Sequence, residues 1–352
     1  MKAAFITGHG GNDVVQVGER PGPERAPGEV RVRLHTATLN RVDLYMRDSG
    51  AGITHRLPQI LGLDGAGVID EIDASDALLQ PGQRVLLHPG IACGRCEFCL
   101  RGDDVLCAHY QLIGEHRDGT FAQFVSVPAR NVLPLPDDWS FAEGAAIGVN
   151  HLTAWRMLVT QAQIQPWETV LIFGIGGGVS LAGLQLAKAL GARCIVTSRH
   201  AGKLEQARAL GADHVIDASR EDIAKTVLAA TGGRGVDVVF ENVGEAVWPA
   251  AMKSLVRGGR LRQARHAGVR NARQPPRTKG LWRRSWPKLL SGPWPGMNTV
   301  SSPIGHSRSR MLEMSSAWLP PGKSVRPMLP ANSTSPTKAR AASGRGRTSP
   351  AS

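Results

Sequence analysis

Apolar and polar residues alternate through the first third of the chain. In EVRVRLHTATLN (29–40) every second residue of the first half is apolar, the pattern of a half-buried strand. GAGVIDEID (65–73) and QRVLLHPG (83–90) repeat the texture between Gly, Pro and Asp punctuation. FAQFVSVPARNVLPLP (121–136) adds a strand and a proline-bounded extended segment. The pattern predicts a β-rich unit over residues 1–136, with few helices.

The period changes after Asp137. FAEGAAIGVNHLTAWRMLVTQAQI (141–164) has helical apolar spacing. Then strand-like and helix-like stretches take turns: ETVLIFG with SLAGLQLAKALGA, RCIVTS with KLEQARALGA, HVID with EDIAKTVLAATGG, VDVVFENVG with EAVWPAAMKSLVRGG. Arg260-Leu261 opens a further strand. Near-continuous apolar strands between amphipathic helices predict a doubly wound parallel sheet over 137–261. The fold class is therefore α/β, with a β-rich unit first.

Both periods stop at Leu261, and composition and charge change there too. Residues 262–352 hold 17 of the 42 Lys and Arg, 12 of the 23 Pro and one acidic residue, Glu313. The first 261 residues hold the other 25 basic and 28 acidic side chains, a net of −3. The formal charge of +13 thus averages two different polymers. The Arg/Ser/Pro-rich tail buries too little apolar surface to offset ordering entropy, so it is expected to be irregular. It has no nucleic-acid-binding module, and nucleic acid is not an expected partner. No apolar run reaches the length of a membrane span, and MKAAFITGHGG lacks the apolar core of a signal peptide. A cytoplasmic protein that does not enter the membrane is expected.

Four of the five cysteines crowd together as C-x2-C-x2-C-x7-C: Cys93, Cys96, Cys99 and Cys107. Four thiolates suit a closed, tetrahedral structural zinc site in a lobe over residues 90–110. Two disulfides are the alternative, which a reducing compartment disfavours. The fifth, Cys194, sits in an apolar strand and reads as packing.

The second signal is FGIGGGVS (173–180), between a strand and a helix. Gly174, Gly176, Gly177 and Gly178 let a pyrophosphate approach the backbone at a helix N-terminus. Val179 stands where G-x-G-x-x-G would have its third glycine. The next strand ends in Ser198-Arg199-His200, with Lys203 beyond, and not in the acidic residue that binds an NAD ribose. Small Ser198 with basic Arg199 and Lys203 suits a 2′-phosphate, hence NADP, with NAD as the alternative.

These pieces together resemble the medium-chain dehydrogenase/reductase superfamily, which includes zinc alcohol dehydrogenases and quinone oxidoreductases. The resemblance is carried by MKAAFITGHGG, TLNRVDLYMR, PQILGLDGAGVI, PGQRV, the four-cysteine lobe, NHLTAW, GIGGGVSLAGLQLAK, KLEQARALGADHVID and GVDVVFENVG. It spans nearly all of residues 1–261. It implies a GroES-like catalytic domain, a dinucleotide-binding Rossmann domain that lacks its last elements, and nicotinamide chemistry. It also adds Thr153 and Asn242 to the cofactor-binding residues.

Zinc enzymes of that superfamily hold a catalytic zinc through a Cys in C-x-x-D, a His in G-H-E and a Cys or Asp at the domain junction. The matching positions here are Asn40, Leu63, and Val149 or Asn150. Leu and Val cannot ligate a metal. The resemblance therefore points to the branch without catalytic zinc, which passes hydride to a quinone, enone or similar carbonyl acceptor. Asn40, Asp43, Tyr45 and Asp64 lie where that branch has its polar groups, and His151 is a further candidate at the junction. Alternatives are a zinc-dependent alcohol dehydrogenase and an inactive relative with a truncated cofactor site. The family dimerises through a C-terminal region that is not recognisable here. The simplest account of residues 262–352 is a frameshifted reading of the ancestral 3′ region.

Overall fold

The computed structural model describes residues 1–53, 55–73 and 79–264. The expected irregular tail and its frameshift origin fall on residues 265–352, outside the described residues.

The first unit is built on antiparallel sheets. Five strands lie in the order Val132–Pro134, Arg84–Leu87, Asp64–Glu71, Glu29–Thr38, Phe124–Pro128. Val30, Val32 and Leu34 point inward at every second position and meet Ile69, Val85, Leu87, Val125 and Val127 in one core. Lys2–Ile6 pairs with Val15–Glu19 and Gln59–Ile60 in a smaller sheet.

Alternation does not reveal the helix Arg41–Ser49 that follows strand Glu29–Thr38. Only Asp43 and Met46 of it are buried, so its apolar period is weak. Its signals are at its ends. The Asp43 carboxylate accepts the Asn40 backbone N–H at 2.7 Å, and Gly50 closes the helix with φ +70°.

The second unit is a five-stranded parallel sheet. Its order is His214–Asp217, Arg193–Ser198, Thr169–Ile172, Val236–Glu241, Leu255–Gln263. Helices Gly178–Ala189, Ala201–Ala209, Ile223–Ala230 and Trp248–Ser254 connect the strands. Chain order reverses between Thr169–Ile172 and Val236–Glu241, which opens a crevice at their carboxyl ends. Val170, Ile172, Val238 and Phe240 form one core with the helix Gly178–Ala189, while Leu171, Phe173 and Val239 face the opposite layer.

The last strand differs from expectation at both ends. It starts at Leu255, where the sequence predicts a helix through Gly259, and a register irregularity between Leu255 and Arg260 takes in Gly258 at φ +78°. It continues past Leu261, with Arg262 and Gln263 in register against Phe240 and Glu241. This pairing is a backbone matter, so it does not need apolar side chains. Arg262 Nη2 also donates to the Gln161 carbonyl at 2.9 Å.

Candidate functional site

The crevice between the two central strands holds the glycine loop. Gly174 and Gly176 take φ +64° and +103°, a region open to glycine and strained for other residues. Gly177 then precedes the helix Gly178–Ala189, whose first amides face the crevice. Close contact between this helix and the sheet is made one turn later than the motif suggests. A Cβ on Gly183 would lie 2.9 Å from the Phe240 ring, whereas Val179 is a half-buried side chain at the rim of the core.

Polar side chains pin the loop. The Gly174 amide donates to Thr197 Oγ1 at 3.3 Å, and the Ile175 amide to the Thr197 carbonyl at 2.8 Å. Ser180 Oγ donates to the Phe173 carbonyl at 2.9 Å and accepts Asn242 Nδ2 at 2.7 Å. Asn242 is thus committed to the helix start. Thr197 and Ser180 were not singled out from the sequence, because each looks like filler inside a regular element. Ser198 is buried at its strand end and accepts the His200 amide at 3.2 Å. Arg199 is exposed just beyond, and Lys203 follows in the next helix, its ammonium pKa lowered by burial. The three run from the end of strand Arg193–Ser198 into the first turn of helix Ala201–Ala209. Thr153 sits in helix Gly148–Trp155, half-buried.

Asn40, Asp43 and Asp64 do come together. Asp64 is 0% exposed, and its Oδ2 accepts Asn40 Nδ2 at 2.7 Å and Thr38 Oγ1 at 3.0 Å. Its Oδ1 accepts the Val149 amide at 2.8 Å. Burial pushes its pKa up to about 6 despite these donors. Asp43 is 2% exposed, with Oδ2 on the Asn40 amide and the Gly62 backbone as a second, weaker donor to the carboxyl. Burial, reinforced by the Asp64 and Glu115 charges, raises its pKa to about 8. Tyr45 is 37% exposed, on the same helix, with Arg41 Nε 3.4 Å from its hydroxyl. His151 is not part of this group. Its Nε2 lies 3.2 Å from Gln185 Oε1 between two helices, and burial lowers its pKa to about 4.

The four cysteine sulfurs lie within 4.8 Å of one another. Cys96 and Cys99 are 3.4 Å apart, and Cys93 and Cys99 3.9 Å. A tetrahedral Zn–S length of about 2.3 Å requires sulfurs roughly 3.8 Å apart, so the set fits zinc. Backbone amides of Cys93 and His109 donate to Cys107 Sγ, and that of Cys96 to Cys93 Sγ, at 3.2–3.3 Å. Such donors favour thiolate. The Cys99 amide holds the Cys96 thiol down to about 6, while burial pushes Cys99 up to about 12. A divalent cation removes that conflict by ionising all four. Among the described residues this is the one cluster of three or more His, Cys, Asp or Glu arranged for a metal.

A β-rich unit, a parallel sheet with a glycine loop at its switch point and a four-thiol lobe define a nucleotide-dependent dehydrogenase with a structural metal site. Comparison with known proteins agrees. A family profile for the alcohol dehydrogenase GroES-like domain matches residues 26–137, and one for zinc-binding dehydrogenases matches 178–264. An alcohol dehydrogenase of Geobacillus stearothermophilus is 36% identical over 262 residues, 74% of this chain and 76% of that protein. The sorbitol dehydrogenase of Bacillus subtilis is 32% identical over 266 residues, 74% of each. Among solved structures, an NAD-dependent alcohol dehydrogenase superposes with a TM-score of 0.73 at 40% identity, over 81% of this chain and 82% of that one. A quinone oxidoreductase of Pseudomonas syringae does so at 0.61 and 28% identity, over 76% of each. The chain belongs to the medium-chain dehydrogenase/reductase superfamily, a family of nicotinamide-dependent oxidoreductases. No helix among the described residues is long and apolar enough to cross a membrane.

Proposed function

We propose that the protein reduces a small conjugated carbonyl compound, a quinone or an enone, with NADPH and without a catalytic zinc. The observation that carries this reading is the residue set where the zinc-dependent relatives hold their metal. Leu63, 2% exposed, and Val149 have no donor atom to offer, and the Asn40 amide is bound to Asp64. Without a Lewis acid, stabilising the alkoxide of a simple alcohol is hard, whereas an enolate needs only a hydrogen-bond donor.

NADPH, when bound, supplies the hydride. The Gly174–Gly178 loop and the helix start behind it hold the pyrophosphate. Ser198, Arg199 and Lys203 take the 2′-phosphate. Asn40 Nδ2 is spent on Asp64 and Thr38, so donation to the developing oxyanion passes to the Tyr45 hydroxyl, on the exposed member of the group. Asp43, neutral at pH 7, keeps charge out of the wall behind it. The four-thiol lobe suits a reducing, cytoplasmic compartment.

The test joins metal content with turnover. Purified protein should hold one zinc per chain and oxidise NADPH with a quinone or enone. Two zinc ions per chain, or alcohol oxidation that vanishes when the second is stripped, overturns the reading.

A further inference from the structure

One buried carboxylate reaches from the first unit into the second. Asp64 accepts Thr38 and Asn40 on one oxygen and the Val149 amide, in the helix Gly148–Trp155, on the other. That amide lies in the first turn of its helix, where the helix itself supplies no acceptor. The contact needs glycine beside it, because a Cβ on Gly148 would lie 1.9 Å from Asp64 Oδ1. Asn150, the next residue after Val149, lies against the glycine loop. A Cβ on Gly178 would stand 2.5 Å from Asn150 Nδ2. Contact therefore runs unbroken from Asp64 through Val149 and Asn150 to Gly178.

We propose that Asp64 is a positioning residue for the nucleotide site. Its carboxylate ties the Thr38–Asn40 turn to helix Gly148–Trp155, and through Asn150 that helix sets the place of the Gly174–Gly178 loop. The inference rests on that loop being the nucleotide loop. The reach is possible because Asp is one methylene shorter than Glu and fits between the turn and the helix. Ionised, it offers lone pairs on both oxygens to three donors at once. An amide of the same size cannot do so. Asn at position 64 sets an N–H against either the Val149 amide or the Asn40 and Thr38 donors.

The test uses Asp64→Asn and Thr38→Val in the full chain, with NADPH titrated by fluorescence and hydrogen exchange followed at residues 148–153 and 174–180. Asp64→Asn is expected to weaken NADPH binding about tenfold and Thr38→Val about threefold, within the roughly two- to twelvefold range of one lost hydrogen bond. Exchange should quicken in both segments while zinc content stays at the wild-type level. A local structural role would quicken 148–153 alone, and an unchanged 174–180 segment overturns the proposal. If Asp64→Asn does not fold, Thr38→Val decides by the same readings. If wild-type protein binds no NADPH, the nucleotide-loop reading falls, and exchange at 174–180 then decides the Asp64 link by itself.

Discussion

Asp43 is the side chain on which alkaline pH should act. Its carboxyl is buried at the start of helix Arg41–Ser49, with the Asn40 amide as its one close donor and the Gly62 backbone as a weaker one. Burial first, then the neighbouring Asp64 and Glu115 charges, lift its pKa from 3.8 to about 8. The unfolded chain releases this proton near pH 4, whereas the folded chain keeps it until about pH 8. Across that interval the folded state holds the extra proton. This contribution to stability is therefore complete at acid pH and is lost as pH rises through the folded value. Each proton of difference is worth about 1.4 kcal/mol per pH unit. With the folded value at about 8, the integrated loss between pH 7 and 8 is about 1 kcal/mol.

Other groups titrate in the same protein. Glu115 and Asp64, raised by burial to about 7 and about 6, act with the same sign at lower pH. His88 and His151, lowered by burial to about 4, act with the opposite sign below the ordinary imidazole value. The cysteine lobe contributes as well. The quantity to measure is therefore a difference in which these cancel. Urea unfolding of wild type and Asp43→Asn at pH 7 and 8 should show wild type losing about 1 kcal/mol more than the variant over that unit. Equal losses in both proteins would mean that Asp43 is ionised in the fold, and the burial argument would be refuted.

Arg199→Asp should weaken NADPH binding by about tenfold or more and NADH binding much less, because it sets like charge against a 2′-phosphate; parallel titrations with the two nucleotides check this, and equal losses would remove the NADP assignment. Cys99→Ser should release the zinc and speed proteolysis within residues 90–110 while NADPH binding survives; a wild-type protein purified under reducing conditions with no zinc would sink the lobe assignment. Gly183→Ala sets a Cβ 2.9 Å from the fully buried Phe240 ring, so overpacking of about 1–3 kcal/mol outweighs a gain in helix propensity of about 1 kcal/mol. Its melting temperature should fall, and a rise would show that the helix can shift freely.

Much of the fold is legible in the sequence because burial imposes a period. Val30, Val32 and Leu34 reveal their strand, and VLIFG and VVFENVG reveal strands buried on both faces. The helix Arg41–Ser49 is not legible this way, since it lies on the surface of the first unit and buries only two side chains. Asn40 and Asp43 carry its capping signal, but the same two residues attract a catalytic reading. The glycine loop is legible from spacing. Its tight packing residue is not, because Gly183 lies within an ordinary apolar helix and its meaning depends on Phe240, 57 residues away.

The polar cluster shows why site residues can be found from a sequence while their roles cannot. Asn40, Asp43 and Asp64 were marked as groups facing substrate, and they do meet. What their neighbours do with them is set by contacts that span 85 residues, such as Val149 to Asp64. A carboxylate that is 0% exposed, with three donors on its two oxygens, is closed to a substrate. Asn40 has likewise turned its amide nitrogen inward. The cluster therefore holds its shape by internal hydrogen bonds. Under the proposed function, chemistry at this wall then falls to the more exposed side chains. Tyr45, on the same helix, is 37% exposed, with Arg41 Nε on its hydroxyl. In that arrangement Asp64 and Asn40 fix the scaffold, which leaves Tyr45 as the residue through which the proposed oxyanion donation is tested.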